Sequence, residues 1–304
     1  MLHFSRPSGR ILTRGGTFLR LLCSLLLCAA LLLCAPALAE NAPGDYLYRL
    51  SGEEAVLTGY RGEAGKIDIP GTLDGHPVGV IGRNAFRGAR LDTITLPDSI
   101  HTVEASAFAG CTAFRIILGN GITSIGERAF MMCPFLESVV FPPSLRHLGR
   151  DAYALCPQLR YVVIPASLQE MEGNPFRSCS LLRHFALPAD HPRYGVRAGM
   201  LADLADARLI CCPAGLEETE IAVPEGIRAL GELSFSGCRL SSLLLPEGLE
   251  EIGSRAFAGC TALSGITLPA SLERLDSRAL EGSGVRILPP APEGGSLETP
   301  APAP

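Results

Sequence analysis

The sequence lacks the short motifs by which most enzymes and cofactor proteins declare themselves. It has no G-x-S-x-G, no H-E-x-x-H and no phosphate-cradling glycine loop. A nucleophile elbow, a zinc-peptidase helix and a nucleotide loop are therefore not written into it. It also has no C-x-x-C, and the repeat cysteines from Cys111 to Cys260 stand 22, 23 or 59 residues apart, not at the close spacing that is the usual sequence argument for a metal. The histidines form no constellation. His101 and His147 read as one repeat position on coils two apart, about 10 Å by strand spacing and too far for one ion. His184 falls on a strand, and His76 and His191 each precede a proline. Acid pairs such as Glu53-Glu54 and Glu217-Glu218 read as solvated loop charge, not as a general acid and base. The expectation is no enzyme, no cofactor and no metal.

A basic stripe is missing as well. The formal charge is −5, and the first 39 residues hold four arginines and no acid, so their loss leaves −9. An acidic chain of this kind is not built for nucleic acid. That leading segment reads as a signal peptide. Arg6, Arg10, Arg14 and Arg20 form a basic start, Leu21 to Ala35 an apolar core, and Ala37-Leu38-Ala39 the cleavage site. The rival reading, an uncleaved anchor, is disfavoured because the apolar run is short for a span. Cys28 and Cys34 each follow a leucine, against a lipoprotein. No second run is long enough to cross a bilayer after cleavage, and no L-P-x-T-G signal is present. The protein is expected to be secreted, extracellular or held at the cell surface.

What the chain has in abundance is repetition. Between Leu136 and Phe176, Leu136, Val139, Phe141, Leu145, Leu148, Tyr153 and Cys156 are answered 23 residues later by Leu159, Val162, Ile164, Leu168, Met171, Phe176 and Cys179. A period of 20–29 residues with L-x-x-L-x-L spacing is the mark of a leucine-rich-repeat solenoid. The aromatic landmarks Phe86, Phe108, Phe130, Tyr153, Phe176, Phe235, Phe257, with Leu280 closing the series, are spaced 22, 22, 23, 23, 59, 22 and 23. Ahead of each stands an apolar pair three apart, such as Ile100/Val103, and ahead of that a short strand ending in proline, such as Ile94-Leu96-Pro97. Apolar residues two apart share a strand face and point inward. A following proline offers no N–H to the ladder and ends each strand at one level. No single repeat buries its apolar residues. Stacking does, at roughly 1.5–3 kcal/mol per buried Leu, Ile or Phe. The fold class is thus a right-handed leucine-rich-repeat solenoid, with parallel strands on one face and short helices or turns on the other. The recurrent Ala-Phe pair is expected in a one-turn helix.

The organisation follows from the phase: a signal peptide at 1–39, an N-terminal cap at 40–66, repeats over 67–288 and a disordered proline-rich tail at 289–304. Tyr46 to Tyr60 alternates around Ser51-Gly52 and predicts a β-hairpin lid over the open end. The 59-residue interval holds an insertion at 190–215, read as two strands, Tyr194–Leu201 and Arg208–Cys212, forming a hairpin that projects from the coil. A domain boundary is the alternative, without a Ser/Pro-rich linker to support it.

The unit I-x-x-I-G-x-x-A-F-x-x-C-x-x-L-x-x-I-x-L-P-x-S-L, nearly complete from Ile252 through Leu263, resembles the BspA-type leucine-rich repeat family of bacterial surface proteins. Tyr60-Arg61-Gly62 with His76-Pro77-Val78 is similar to that family's first repeat, and Tyr194…Gly199-Met200-Leu201 with Cys212-Pro213 to a hairpin variant within it. The resemblance implies a secreted or surface protein associated with adhesion to host or bacterial proteins.

Cys111, Cys133, Cys156, Cys179, Cys238 and Cys260 each lie three residues past the landmark. They should form an inward ladder of free thiols, because stacked side chains point the same way and not at one another. Cys211 and Cys212, adjacent on a strand, should face opposite sides, leaving one exposed. For binding, the middle strand residue faces outward. Read coil by coil, it is Asp68, Thr95, Ile117, Val140, Val163, Ala186, Ala222, Leu244 and Thr267, apolar in the middle and polar at the ends. Tyr161 and His184 flank this stripe, with Arg160 and Arg183 beside them. An apolar centre with aromatic and basic edges suits a protein interface. The candidate protein-binding set is therefore Ile117, Val140, Tyr161, Val163, Arg160, Arg183, His184 and Leu244, for a partner such as a host or bacterial surface protein. The alternative is an envelope or scaffold component that self-associates along the same stripe.

Overall fold

The computed structural model describes residues 43–63 and 65–289. The expected signal peptide and the proline-rich tail beyond 289 lie outside the described residues. Each coil contributes to two parallel ladders. The first is built from the strands that precede proline. It runs in register-matched blocks: Lys66–Asp68, Thr93–Thr95 and Arg115–Ile117; then Ser138–Val140, Tyr161–Val163 and His184–Ala186. Glu220–Ala222 pairs with Ser242–Leu244, and Gly265–Thr267 with Arg286–Leu288. Most of these three-residue strands bury their central residue: Ile94, Val139, Val162 and Phe185 are inside, flanked by outward neighbours, whereas Ile287 of the last strand is exposed. After Arg115–Ile117, Gly119 replaces proline, since a Cβ there would stand 2.3 Å from the Pro97 carbonyl oxygen.

The second ladder is not in the sequence reading. It is formed by the apolar pairs three apart, whose last two residues make short strands: Thr102–Val103, Ser124–Ile125, His147–Leu148 and Glu170–Met171. The polar or β-branched residue faces out, and Val103, Ile125 and Leu148 are fully buried. His76–Ile81 and Glu54–Tyr60 extend this ladder to the N-terminal end. There Tyr46–Ser51 folds back on Glu54–Tyr60 as the expected antiparallel hairpin.

The third side is made of turns, and the one-turn helix expected at Ala-Phe does not form. Its absence has a local cause. The residue two before the aromatic is left-handed, as at Asn84, Ser106, Arg128 and Asp151 with φ of 56–60°, except at Phe176, where it is Gly173, three before. So is the residue two after the aromatic, as at Gly88, Gly110, Met132 and Leu155. A left-handed residue on either side stops helix propagation. In the first coils the backbone N–H of the aromatic instead reaches the next coil: Phe86 donates to Ala107 O, Phe108 to Ala129 O and Phe130 to Ala152 O, each at 2.7 Å. The rings stack at the same repeat, 5.0 Å for Phe86–Phe108 and Phe108–Phe130 and 4.8 Å for Phe130–Tyr153. Tyr60 of the hairpin continues the column over Phe86. A cap ring thus covers the first repeat ring, which removes apolar area from water at the open N-terminal end.

All eight cysteines from Cys111 to Cys260 are buried free thiols. In the ladder, Sγ donates to the carbonyl of the aromatic one coil earlier: Cys133 to Phe108, Cys156 to Phe130, Cys179 to Tyr153 and Cys260 to Phe235, at 3.0–3.3 Å. Each of these four thiols bonds a carbonyl oxygen and not another sulfur. Burial pushes the Cys260 thiol up to about 12 and raises Cys211 further.

The insertion departs most from expectation. Its first segment is two strands, Tyr194–Arg197 and Met200–Asp203, joined by Ala198 and Gly199, both at positive φ. That two-residue turn matches strand twist. Met200–Asp203 then pairs with Arg208–Cys211, which runs parallel to Ala229–Leu230 and so enters the second ladder. The insertion therefore does not project. Met200–Asp203 is buried along its whole length, with one core on each side. Leu201, Ile210 and Cys211 pack with the N-terminal coils, whereas Met200, Ala202, Leu209 and Cys212 pack with the C-terminal coils. The register skips Ile210, with Leu201 opposite Cys211 and Ala202 opposite Leu209. This bulge puts Ile210 and Cys211 on one face. The expected exposed thiol of the Cys211-Cys212 pair is corrected for the same reason: the two residues face opposite ways, but both sides are core.

Candidate functional site

The last residue of each first-ladder strand points away from the core, because the central residue before it and the apolar residue after the strand, such as Val139 and Phe141, both face inward. Parallel register brings Val140, Val163 and Ala186 side by side, with Ser138, Tyr161 and His184 as a second column. Val140 is 59 % exposed, whereas Tyr161 and Val163 are half-buried and His184 is open to solvent. Arg160 and Arg183 precede these strands and are exposed, and the Arg183 N–H donates to the Arg160 carbonyl at 3.1 Å. The Arg183 guanidinium is paired with Glu217, so one of the two basic edges is internally neutralised. The insertion joins the second ladder and leaves these residues uncovered.

The set does not form one continuous sheet. Ile117 ends the preceding block and is half-buried, and Leu244, 67 % exposed, lies beside Ala222 in a separate pair of strands. Between the blocks, the Gly215 N–H bonds the Leu182 carbonyl at 2.8 Å, inserting the return segment of the insertion at that point. Val140, Tyr161, Val163, Arg160, Arg183 and His184 are thus brought together, while Ile117 and Leu244 stand on neighbouring blocks.

Two constellations were not visible in the linear pattern. The first joins the halves of the array on the turn side. Buried Asp151 accepts from Arg177 at 2.6 and 3.2 Å, with Arg128 at 3.7 Å. Arg150 pairs with Glu232 across the insertion, and Arg255 with Glu281 at 2.6 Å. Asn174 reaches the same way, its Nδ2 donating to Leu233 O at 2.9 Å. These arginines have carboxylate partners, so the hollow is a seam between coils and carries no free positive charge for an anion. The second lies on the second ladder. His147 and Glu170 are register partners, and His147 Nε2 is 3.1 Å from Glu172 Oε1. The sequence reading paired His147 with His101 instead. The register corrects this: Thr102, not His101, shares the column of Ser124 and His147. His101 turns to Glu54 of the cap at 3.0 Å.

Comparison with known proteins agrees with this architecture. A family model for the BspA type leucine rich repeat region matches in six copies, over residues 67–194 and 214–288. The crystal structure of the pneumococcal vaccine antigen PcpA is similar with a TM-score of 0.57 and 23 % identity, over 78 % of this chain and 71 % of that one. A leucine-rich repeat protein of T. pallidum is similar with a TM-score of 0.52 and 28 % identity, over 74 % of this chain and 91 % of that one. One from Eubacterium ventriosum gives 0.58 and 17 %, over 74 % and 73 %. A comparison with curated proteins finds no match. No enzyme family is indicated by the matching family or by these structures. Among the described residues, no helix is long and apolar enough to cross a membrane.

Proposed function

Because the chain belongs to the BspA-type leucine-rich repeat family, we propose that it is a secreted or surface-exposed recognition module that adheres to a protein partner through the first ladder. The observation that carries this reading is the outward column Val140–Val163–Ala186, an apolar line on a rigid sheet whose leading residue is 59 % exposed. β-branched residues on a strand serve the sheet itself, but this does not account for leaving Val140 open to water. Tyr161, His184 and Arg160 supply the polar and aromatic rim that protein interfaces favour. The partner is a host or bacterial surface protein, and the reading assigns no catalysis. The test is a crosslinking pull-down from surface extracts with the wild type and with Val140→Asp and Val163→Asp. A buried carboxylate in an apolar contact carries a large desolvation cost. Each variant should therefore weaken capture of the recovered partner at least tenfold with unchanged thermal stability. Capture unchanged by both substitutions would refute the proposal.

A further inference from the structure

We propose that His147, Glu170 and Glu172 form a divalent transition-metal site of the Zn²⁺ class on the second ladder. Candidate ligand atoms of the three side chains lie within 4.8 Å of one another. A tetrahedral ion with Zn–N and Zn–O bonds of about 2.0 Å holds its ligands about 3.3 Å apart. Two glutamate side chains on the exposed surface close that gap by rotation alone. One imidazole nitrogen with two carboxylates, the remaining positions open to water, is a donor set that suits Zn²⁺, Mn²⁺, Co²⁺ and Ni²⁺.

The arrangement is held by backbone. Register sets His147 and Glu170 side by side on adjacent coils, and Glu172, two residues on, returns to the outward face. Ser124 Oγ lies 3.3 Å from His147 Nδ1, which orients the ring and leaves Nε2 toward the carboxylates. Glu172 Oε2 accepts from the Arg150 N–H at 3.3 Å, fixing the second carboxylate. Two guanidinium groups nearby are otherwise engaged, Arg150 with Glu232 and Arg193 with Asp203 and Asp206.

The chain contains its own control. Glu104 stands where Glu172 does, and its Oε2 accepts from the Arg83 N–H at 2.8 Å. The register pair beside it, however, which occupies the places of His147 and Glu170, is Val80 and Thr102. Capping a turn N–H therefore explains a glutamate at this position. It does not explain a histidine and a second glutamate placed beside one. Several coils have glycine there, as at Gly82, Gly126 and Gly149, so Glu172 is a departure from the repeat on the coil that follows His147's.

The proposal is independent of the strand-face reading and is tested on the purified protein with Zn²⁺ by calorimetry and Co²⁺ by visible absorption. One saturable equivalent is expected. His147→Ala and Glu170→Gln should each weaken it tenfold or more, while Glu104→Gln leaves it unchanged. Glu170 is exposed, so its substitution reads binding even where the histidine variant folds poorly. Absence of saturable binding, affinity unchanged in Glu170→Gln, or intense thiolate-to-cobalt absorption from the cysteines would each overturn it.

Discussion

Single residues in this solenoid are judged by the column they occupy. Ser234 stands where other coils carry Ala85, Ala107, Ala129, Ala152 and Ala256, and its buried hydroxyl has no protein partner. An unpaired buried hydroxyl costs more than it contributes. Ser234→Ala should accordingly raise stability by about 1 kcal/mol, read as a higher urea midpoint at unchanged slope. His191 is the opposite case, a buried polar group that is fully used. Its Nδ1 accepts from the N–H groups of Arg193 and Tyr194 at 3.2 and 3.1 Å, so its Nε2–H donates to the Pro165 carbonyl at 3.1 Å. Burial lowers its pKa, with the Pro165 bond and Asp190 opposing. Unfolded chains therefore bind the proton more readily than the native state. Stability should fall as pH drops below the ordinary histidine value of about 6.5 and level off below the native pKa. A proton on Nδ1 would face two donors. Hydrogen exchange at Arg193 and Tyr194, corrected for intrinsic rates, should speed up over that window, and a flat profile would contradict the assignment.

At the scale of elements, the insertion behaves as a partition. Met200 and Leu201 are neighbours on one strand, yet each belongs to a different core. Truncating a buried Met or Leu to Ala costs roughly 2–5 kcal/mol, depending on how far the site collapses. Leu201→Ala should loosen amides in the coils before the insertion, and Met200→Ala those after it, as resolved by hydrogen-exchange mass spectrometry. Identical protection maps for the two variants would show that the strand does not separate the cores. The linear pattern signalled strands here but misjudged their setting. Tyr194–Leu201 and Arg208–Cys212 read as a projecting hairpin, whereas the second core that covers Met200 and Leu209 is assembled largely from residues from Val223 onward, too distant for local pattern to reveal. The two-residue strands of the second ladder were missed for a related reason. Thr102-Val103 is too short to show alternation, and its pairing comes from the coils on either side.

For the whole molecule, exposure of the first ladder bears on the choice between recognition and self-association. The stripe is apolar at Val140 and Leu244, but the strand blocks are not paired with each other across the insertion. A partner protein can meet one block, whereas self-association along the full stripe needs both. The protein should therefore sediment with the same mass across a wide concentration range, and Val140→Asp should leave that mass unchanged. A mass that rises with concentration and falls back in Val140→Asp would favour the envelope or scaffold role. Six of the eight proposed contact residues meet on one block or at its edge because parallel register carries Ser138 to Tyr161 and on to His184. That neighbourhood was legible from the period. The separation of Ile117 and Leu244 was not, since it depends on where the ladder hydrogen bonds lapse.

The period, the inward and outward alternation and the aromatic column follow from sequence alone, because each is a local consequence of apolar spacing repeated every 22 or 23 residues. Tertiary structure decided the rest: a second ladder beside the first, turns in place of one-turn helices, two buried cysteines in place of one, an insertion inside the array instead of outside it, and a histidine beside two glutamates. Each of these depends on which coil becomes the neighbour of which, and on the backbone hydrogen bonds and covered area that the neighbour supplies.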